Sequence, residues 1–246
     1  MKIIKGDNIV FNKIKKIALT LSERVIIFSK PEKSKDFFIK TRKDILETRN
    51  IYRRLTNQVK IFNHLTHEVE NLFDNYYIVD NAISEVSSVN FDKNFKRLVQ
   101  VEKKTDNFIP RIYDILNSFV RQVDYKIDRE NLDLFLQFYQ SKAHLSIREL
   151  VYVPFFLKVI LVENIHNIMR KSIVSLDEYK DAEYWFKQIV KIGKDSKEKD
   201  YSELILNLAH KYNIIPINLS FYLLQKLSQY GPDTRPVVKW LKLNLF

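Results

Sequence analysis

The sequence predicts an all-α fold, a multi-helix bundle of about eight to ten helices with no sheet, and three observations predict it. Apolar residues recur every three or four positions along most of the chain, the spacing of one helix face. Glycine occurs only three times in 246 residues, which leaves little material for the positive-φ turns that hairpins require. Helix-starting and helix-stopping residues punctuate the periodic stretches. With 46% hydrophobic and 13% aromatic residues, the chain has the apolar surface to offset the entropy of ordering.

The first periodic stretch is Val10, Ile14, Ile17, Leu21, Val25 and Phe28, ended by Pro31. It defines an N-terminal helix and linker over residues 1–34, set apart from a helical domain over 35–246. From Lys35 to Phe62, the residues Phe38, Ile45, Tyr52 and Val59, with Leu55 and Phe62 among them, keep a seven-residue rhythm that fits one long packing helix. Val69, Leu72, Phe73, Tyr76, Val79, Ile83 and Val86 form the next stripe, starting near Thr66 or His67. Residues Asn90 to Asn107 are polar and weakly periodic, and read as a connector holding at most one short helical turn. Pro110 opens a helix whose apolar face is Ile112, Ile115, Leu116, Phe119, Val120 and Val123, because proline in the first turn sacrifices no intrahelical hydrogen bond. Asp128 precedes another, through Leu132, Phe135, Leu136 and Tyr139.

Ser146-Ile-Arg-Glu149 is a capping box, with Leu145 and Leu150 at the staple positions. Its helix runs to about Met169, apolar on nearly all sides, and Pro154 inside it predicts a kink. Ser175 to Glu178 reads as a second capping box, opening a helix through Trp185, Phe186 and Ile189 that Gly193 caps. After a charged loop, Tyr201–Tyr212 and Ile217–Tyr230 form two more helices, the latter closed by Gly231 and Pro232. Thr234 caps a last segment with Pro236 in its first turn and Val237, Leu241 and Leu245 on one face. The chain stops while that pattern is still running, which points to truncation at the C-terminus.

Composition and motifs exclude several function classes. No cysteine is present, so disulfides, thiolate metal sites and cysteine nucleophiles are ruled out. Charges interrupt Met1 to Ser29 throughout, which argues against a secretory signal and for a cytoplasmic protein. The longest apolar run, Leu150 to Val162, is broken by Pro154 and Lys158 and is too short to span a bilayer. The net charge of +11 comes from lysines dispersed among acids, a pattern of solvated helix faces, and does not favour nucleic acid as a partner. His64, His67, Glu68 and Glu70 lack the H-E-x-x-H spacing of a helical zinc site. Neither a G-x-S-x-G elbow nor a phosphate-cradling glycine loop exists. The sequence therefore predicts no catalytic, cofactor-binding or metal-binding residue, no cofactor, and no pocket equipped to make or break bonds.

Three segments stand in a suggestive order: Glu70-Asn-Leu-Phe-Asp-Asn-Tyr-Tyr-Ile-Val79, then Pro110-Arg-Ile-Tyr113, then Phe138-Tyr-Gln140 followed by Leu145-Ser-Ile-Arg-Glu-Leu150 and Pro154 to Asn164. In order and spacing they resemble the N-terminal region of cyclic β-1,2-glucan synthases, large multi-pass inner-membrane glycosyltransferases of bacteria, over about residues 40 to 245. The resemblance implies a cytosolic helical module that precedes a transferase and supports or docks against it, so the implied partner is the transferase domain. The family's transferase, membrane-spanning and phosphorylase-like regions lie outside these segments, so no catalytic residue transfers to this chain. Within or beside them, Asp74, Asn75, Arg111, Asp124, Gln140, Glu149 and Glu163 are the candidate members of a structural polar network. Arg111 is expected to bridge carboxylates between helices, a role suited to the planar guanidinium fork.

Overall fold

The computed structural model describes residues 5–24, 35–62, 67–89, 95, 98–104, 107–195 and 201–244. Among them are eleven α-helices: α1 (Lys5–Ser22), α2 (Lys35–Phe62), α3 (His67–Asp74), α4 (Tyr76–Ser88), α5 (Arg111–Gln122), α6 (Arg129–Gln140), α7 (Ile147–Val151), α8 (Val153–Asp195), α9 (Ser202–Lys211), α10 (Ile217–Tyr230) and α11 (Arg235–Leu243). Among the described residues the fold is all-α apart from one hairpin, β1 (Gln100–Lys104) with β2 (Asn107–Pro110). None of the described helices is long and apolar enough to cross a membrane. The expectations placed on Val25, Phe28, Pro31, His64, Thr66, the loop at 196–200 and Leu245 lie outside the described residues.

Four boundaries differ from the sequence expectation, each for a physical reason. The stripe from Val69 to Val86 is split at Asn75, whose side-chain amide donates to the Asn71 carbonyl at 2.9 Å and competes with the helical ladder. The helix opened by Ser146 breaks at Tyr152, so Pro154 sits in the first turn of α8 and kinks nothing. A proline there has no partner to lose. Ser175 and Gly193 neither start nor stop a helix, because α8 runs through both. A cap is worth about 1 kcal/mol, whereas each large side chain buried along α8, among them Ile173, Trp185 and Ile189, contributes about 1.5–3 kcal/mol.

The hairpin is the fourth difference, since no sheet was expected. β1 and β2 pair antiparallel, Val101 opposite Ile109 and Glu102 opposite Phe108, with a register shift between Glu102 and Lys104. Val101, Phe108 and Ile109 are buried, and the charged and polar residues at Lys103, Lys104 and Asn107 conceal this short β-branched and aromatic pattern. The pairing continues into α5, where the Arg111 amide donates to the Val99 carbonyl at 2.8 Å. The ribbon thereby fixes where α5 begins.

The chain divides into two compact units, Met1–Arg53 with Leu65–Ile168, and Arg54–His64 with Met169–Phe246. In the first, Phe95 is the aromatic hub, stacked on Phe38 at 5.3 Å and on Phe155 at 5.1 Å, beside the buried face of α5. α1 belongs to this core: Ile14, Ala18 and Leu21 are buried, and Phe11 meets Phe138 edge-on at 5.4 Å. The second unit packs Trp185 and Ile189 of α8 with Leu204 and Leu208 of α9, the i, i+4 row Leu219, Leu223 and Leu227 of α10, and Val237 and Leu241 of α11.

Gly231 ends α10 at φ 130° and ψ −176°, a region that only glycine occupies without strain. No atom lies within 4 Å of a Cβ added there, so the cost of a side chain is backbone strain alone. Gly231→Ala is expected to destabilise the chain by about 1–3 kcal/mol, read as a lower urea midpoint. An unchanged midpoint would contradict the assigned conformation.

Candidate functional site

The polar chemistry of the first unit begins at the first turn of α5. Arg111 is 4% exposed and Glu149 of α7 is 0% exposed. Arg111 Nε donates to Glu149 Oε1 at 2.9 Å and Nη2 to Oε2 at 2.6 Å, a bidentate bond, while Nη2 also donates to the His144 carbonyl at 2.9 Å. Glu149 is at the same time the acid of the capping box: its Oε2 accepts from the Ser146 amide and hydroxyl, each at 2.9 Å. Burial alone would lower the proton affinity of Arg111, but its hydrogen bond and charge attraction to Glu149 raise it, so the guanidinium is held charged. Asp114, three residues on, is also buried and takes Arg24 Nη1 at 2.9 Å on one oxygen and the Lys103 ammonium on the other.

Tyr113, between them, turns toward α8. Its hydroxyl donates to Glu163 Oε2 at 2.6 Å, and Thr41 of α2 donates to Glu163 Oε1 at 3.1 Å. Burial, then the charge of Glu163, raises the Tyr113 pKa far above its ordinary range. Burial likewise raises Glu163 above its usual 4.5, against the two hydrogen bonds that favour its charged form. The seam of α2 explains why these groups meet. In its heptad, Thr41 and Thr48 occupy buried positions between Phe38, Ile45 and Leu55, so two hydroxyls point where coiled-coil packing calls for apolar side chains.

Around this pair of helices the fold forms a cleft of about 430 Å³. Asp36, Asp44 and Glu163 bring carboxylates to it, Lys40 and Lys103 ammonium groups, and Thr41, Tyr113, His166 and Asn167 further polar atoms, with Phe37 and Ile109 as apolar wall. The expectation that helix packing leaves no equipped pocket is therefore corrected: a polar cleft with converging acids is present.

Of the seven network candidates, the structure joins Arg111 to Glu149 and places Glu163 in the separate Tyr113–Thr41 cluster. The others stand apart. Asp74 is exposed at the end of α3, and the Asn75 side chain bonds to the local backbone at Asn71. Asp124 is exposed with φ 49° in the turn after α5, and Gln140 ends α6. Sequence reasoning missed Asp114, Thr41, Tyr113, Asp44 and His166. The two threonines in an otherwise apolar heptad were the signal available for the cleft. The candidate cluster at His64, His67, Glu68 and Glu70 begins outside the described residues.

The chain resembles a glucan synthase. Over 133 residues, 54% of its length, it is 27% identical to the cyclic beta-(1,2)-glucan synthase NdvB of Rhizobium meliloti (strain 1021). Those residues amount to 5% of that protein, so the chain spans a small fraction of the curated relative it matches. No family model matches the sequence, and no solved structure matches it. Arg111, Glu149 and Glu163 are each tied to a neighbouring helix of the same unit.

Two predictions follow from this geometry. Arg111→Ala leaves Glu149 buried without its counter-charge and is expected to cost about 3–5 kcal/mol, whereas replacing both partners by leucine or methionine recovers most of the loss; chemical denaturation of the single and double variants measures this. The second concerns pH. Because folding raises the pKa of Glu163, the unfolded chain releases that proton first, and stability falls as pH rises from about 4.5 through the folded value. Glu163→Gln should flatten that fall in urea midpoints taken across pH, and parallel profiles for the two proteins would rule out the linkage.

Proposed function

We propose that the chain is a non-catalytic helical module of a cyclic β-1,2-glucan synthase-like glycosyltransferase, on the cytosolic side, supporting or docking against the transferase. The similarity to NdvB carries this reading. Support comes from the way the resembling motifs are used. The charges of Arg111 and Glu149 satisfy one another inside the first unit, as expected of a scaffold and not of a centre that must meet substrate. Beside that lock, α7 exposes Ile147 (82%) and Val151 (67%), an i, i+4 apolar pair on the turn whose Glu149 is fully buried. A short rigid helix with one face anchored and an apolar strip outward suits a partner surface.

Co-expression of the tagged chain with the transferase domain of a glucan synthase tests the proposal. Co-purification is expected, and the double change Ile147→Asp and Val151→Asp should abolish it while leaving the melting temperature within a few degrees. The purified chain alone should not turn over a nucleotide sugar. Failure to associate with the transferase, or turnover by the isolated chain, overturns the reading. A second reading, a stand-alone protein-interaction domain, is favoured by the exposed Ile214, Ile217 and Phe221 of the second unit; it predicts that changes at those residues, and not at α7, remove partner binding.

A further inference from the structure

At the edge of the cleft stand three side chains of metal-ligating type that no motif announces, two of which, Asp44 and His166, line it. Asp44 and Glu47 stand i, i+3 on α2, and His166 comes from α8; one ligand atom from each lies within 4.8 Å of the other two. His166 is 3% exposed, yet it lines the cleft together with Asp44.

The hydrogen bonds around the ring fix which way Nδ1 points its bond. His166 Nδ1 lies 3.2 Å from Thr48 Oγ1, and the same hydroxyl lies 2.9 Å from the Asp44 carbonyl oxygen. A carbonyl can only accept, so the single hydroxyl proton of Thr48 goes to Asp44, and the ring donates to Thr48 through Nδ1–H. In its neutral form the ring then carries its lone pair on Nε2. Histidine binds metals in this form, one nitrogen ligating while the other is fixed by a hydrogen-bond partner.

From this geometry we infer that Asp44, Glu47 and His166 bind one divalent transition-metal ion of the zinc type at the edge of the cleft. The donor set selects the ion. Imidazole nitrogen with two carboxylates suits zinc and its neighbours, whereas magnesium and calcium ask for oxygen alone. Bonds near 2.1 Å in a tetrahedron place donors about 3.4 Å apart, a contraction that rotation of the two helix-borne carboxylates can supply. Three protein ligands leave a position for water, which the adjoining cleft admits. The inference does not depend on the glucan synthase reading. Its alternative is that the three groups only balance one another, as an imidazolium facing two carboxylates with Lys40 nearby.

Titration calorimetry of the chelator-treated full chain with zinc chloride decides between them. Binding should saturate at one ion per chain and raise the melting temperature with zinc concentration. Glu47→Gln, which removes a ligand charge while keeping the side chain's shape, should weaken binding at least tenfold. Thr48→Val, which deletes the acceptor of the ring N–H, should weaken it about 10- to 100-fold. Glu130→Gln, on an exposed face of α6, should change nothing. Because the variants at 47 and 48 leave the ring in place, their metal-free melting curves report whether the fold is intact. No saturable one-to-one isotherm, or equal affinity in the wild type and Glu47→Gln, overturns the site.

Discussion

The organising constraint of the first unit is the buried pair Arg111–Glu149. A guanidinium at a helix N-terminus lies on the unfavourable side of the helix dipole, a penalty of about 0.3–1 kcal/mol, and its burial adds a larger one. Glu149 answers both, and cannot be moved to do so, because the same carboxylate closes the cap of α7. α5 and α7 are thereby held in one relative position. Replacement of such a pair by packed apolar residues is often neutral or stabilising, so its physical effect here is to select one arrangement of the helices over others.

That selection spreads through one turn of helix. Arg111 reaches α7, Tyr113 reaches Glu163 on α8, and Asp114 holds Lys103 of β1 and Arg24 beyond α1. Three residues of four in the first turn of α5 thus tie three other elements and the residue Arg24 that follows α1. The hairpin matters for the same reason, since its last pairing sets the start of the helix. Shifting α5 by one residue would turn all three side chains away from their partners at once.

Helix content was legible in the sequence because glycine scarcity and three-to-four periodicity report the same thing. Local start signals were legible only where packing agreed. Asp128 and Ser146 cap helices, the former accepting from the Asn131 amide at 2.7 Å, but Ser175 stands inside α8, where burial on both sides outweighs a cap. The hairpin was hidden by charged residues around a pattern only four or five residues long. Of the polar site, a bridge from Arg111 to a carboxylate of another helix was expected and Glu149 stood among the candidates, whereas Asp44 and His166 share no spacing rule across their separation in the chain. Only the fold brings such residues together.

The heptad of α2 nevertheless carried a trace of the cleft. An apolar seam packs best when every core position is apolar, and a hydroxyl there gains nothing unless it finds a partner. Thr41 and Thr48 break the seam one heptad apart, on either side of Ile45, and each finds a titratable residue of α8, Glu163 and His166, three residues apart on that helix. Valine at both positions would satisfy packing at nearly the same volume. A helix pair that places two polar contacts side by side, with a raised-pKa carboxyl and an ordered imidazole opening on one cleft, departs from its local rule where a chemical group is needed. Exceptions to periodicity, read in pairs along one seam, therefore point to sites that motif spacing cannot reveal.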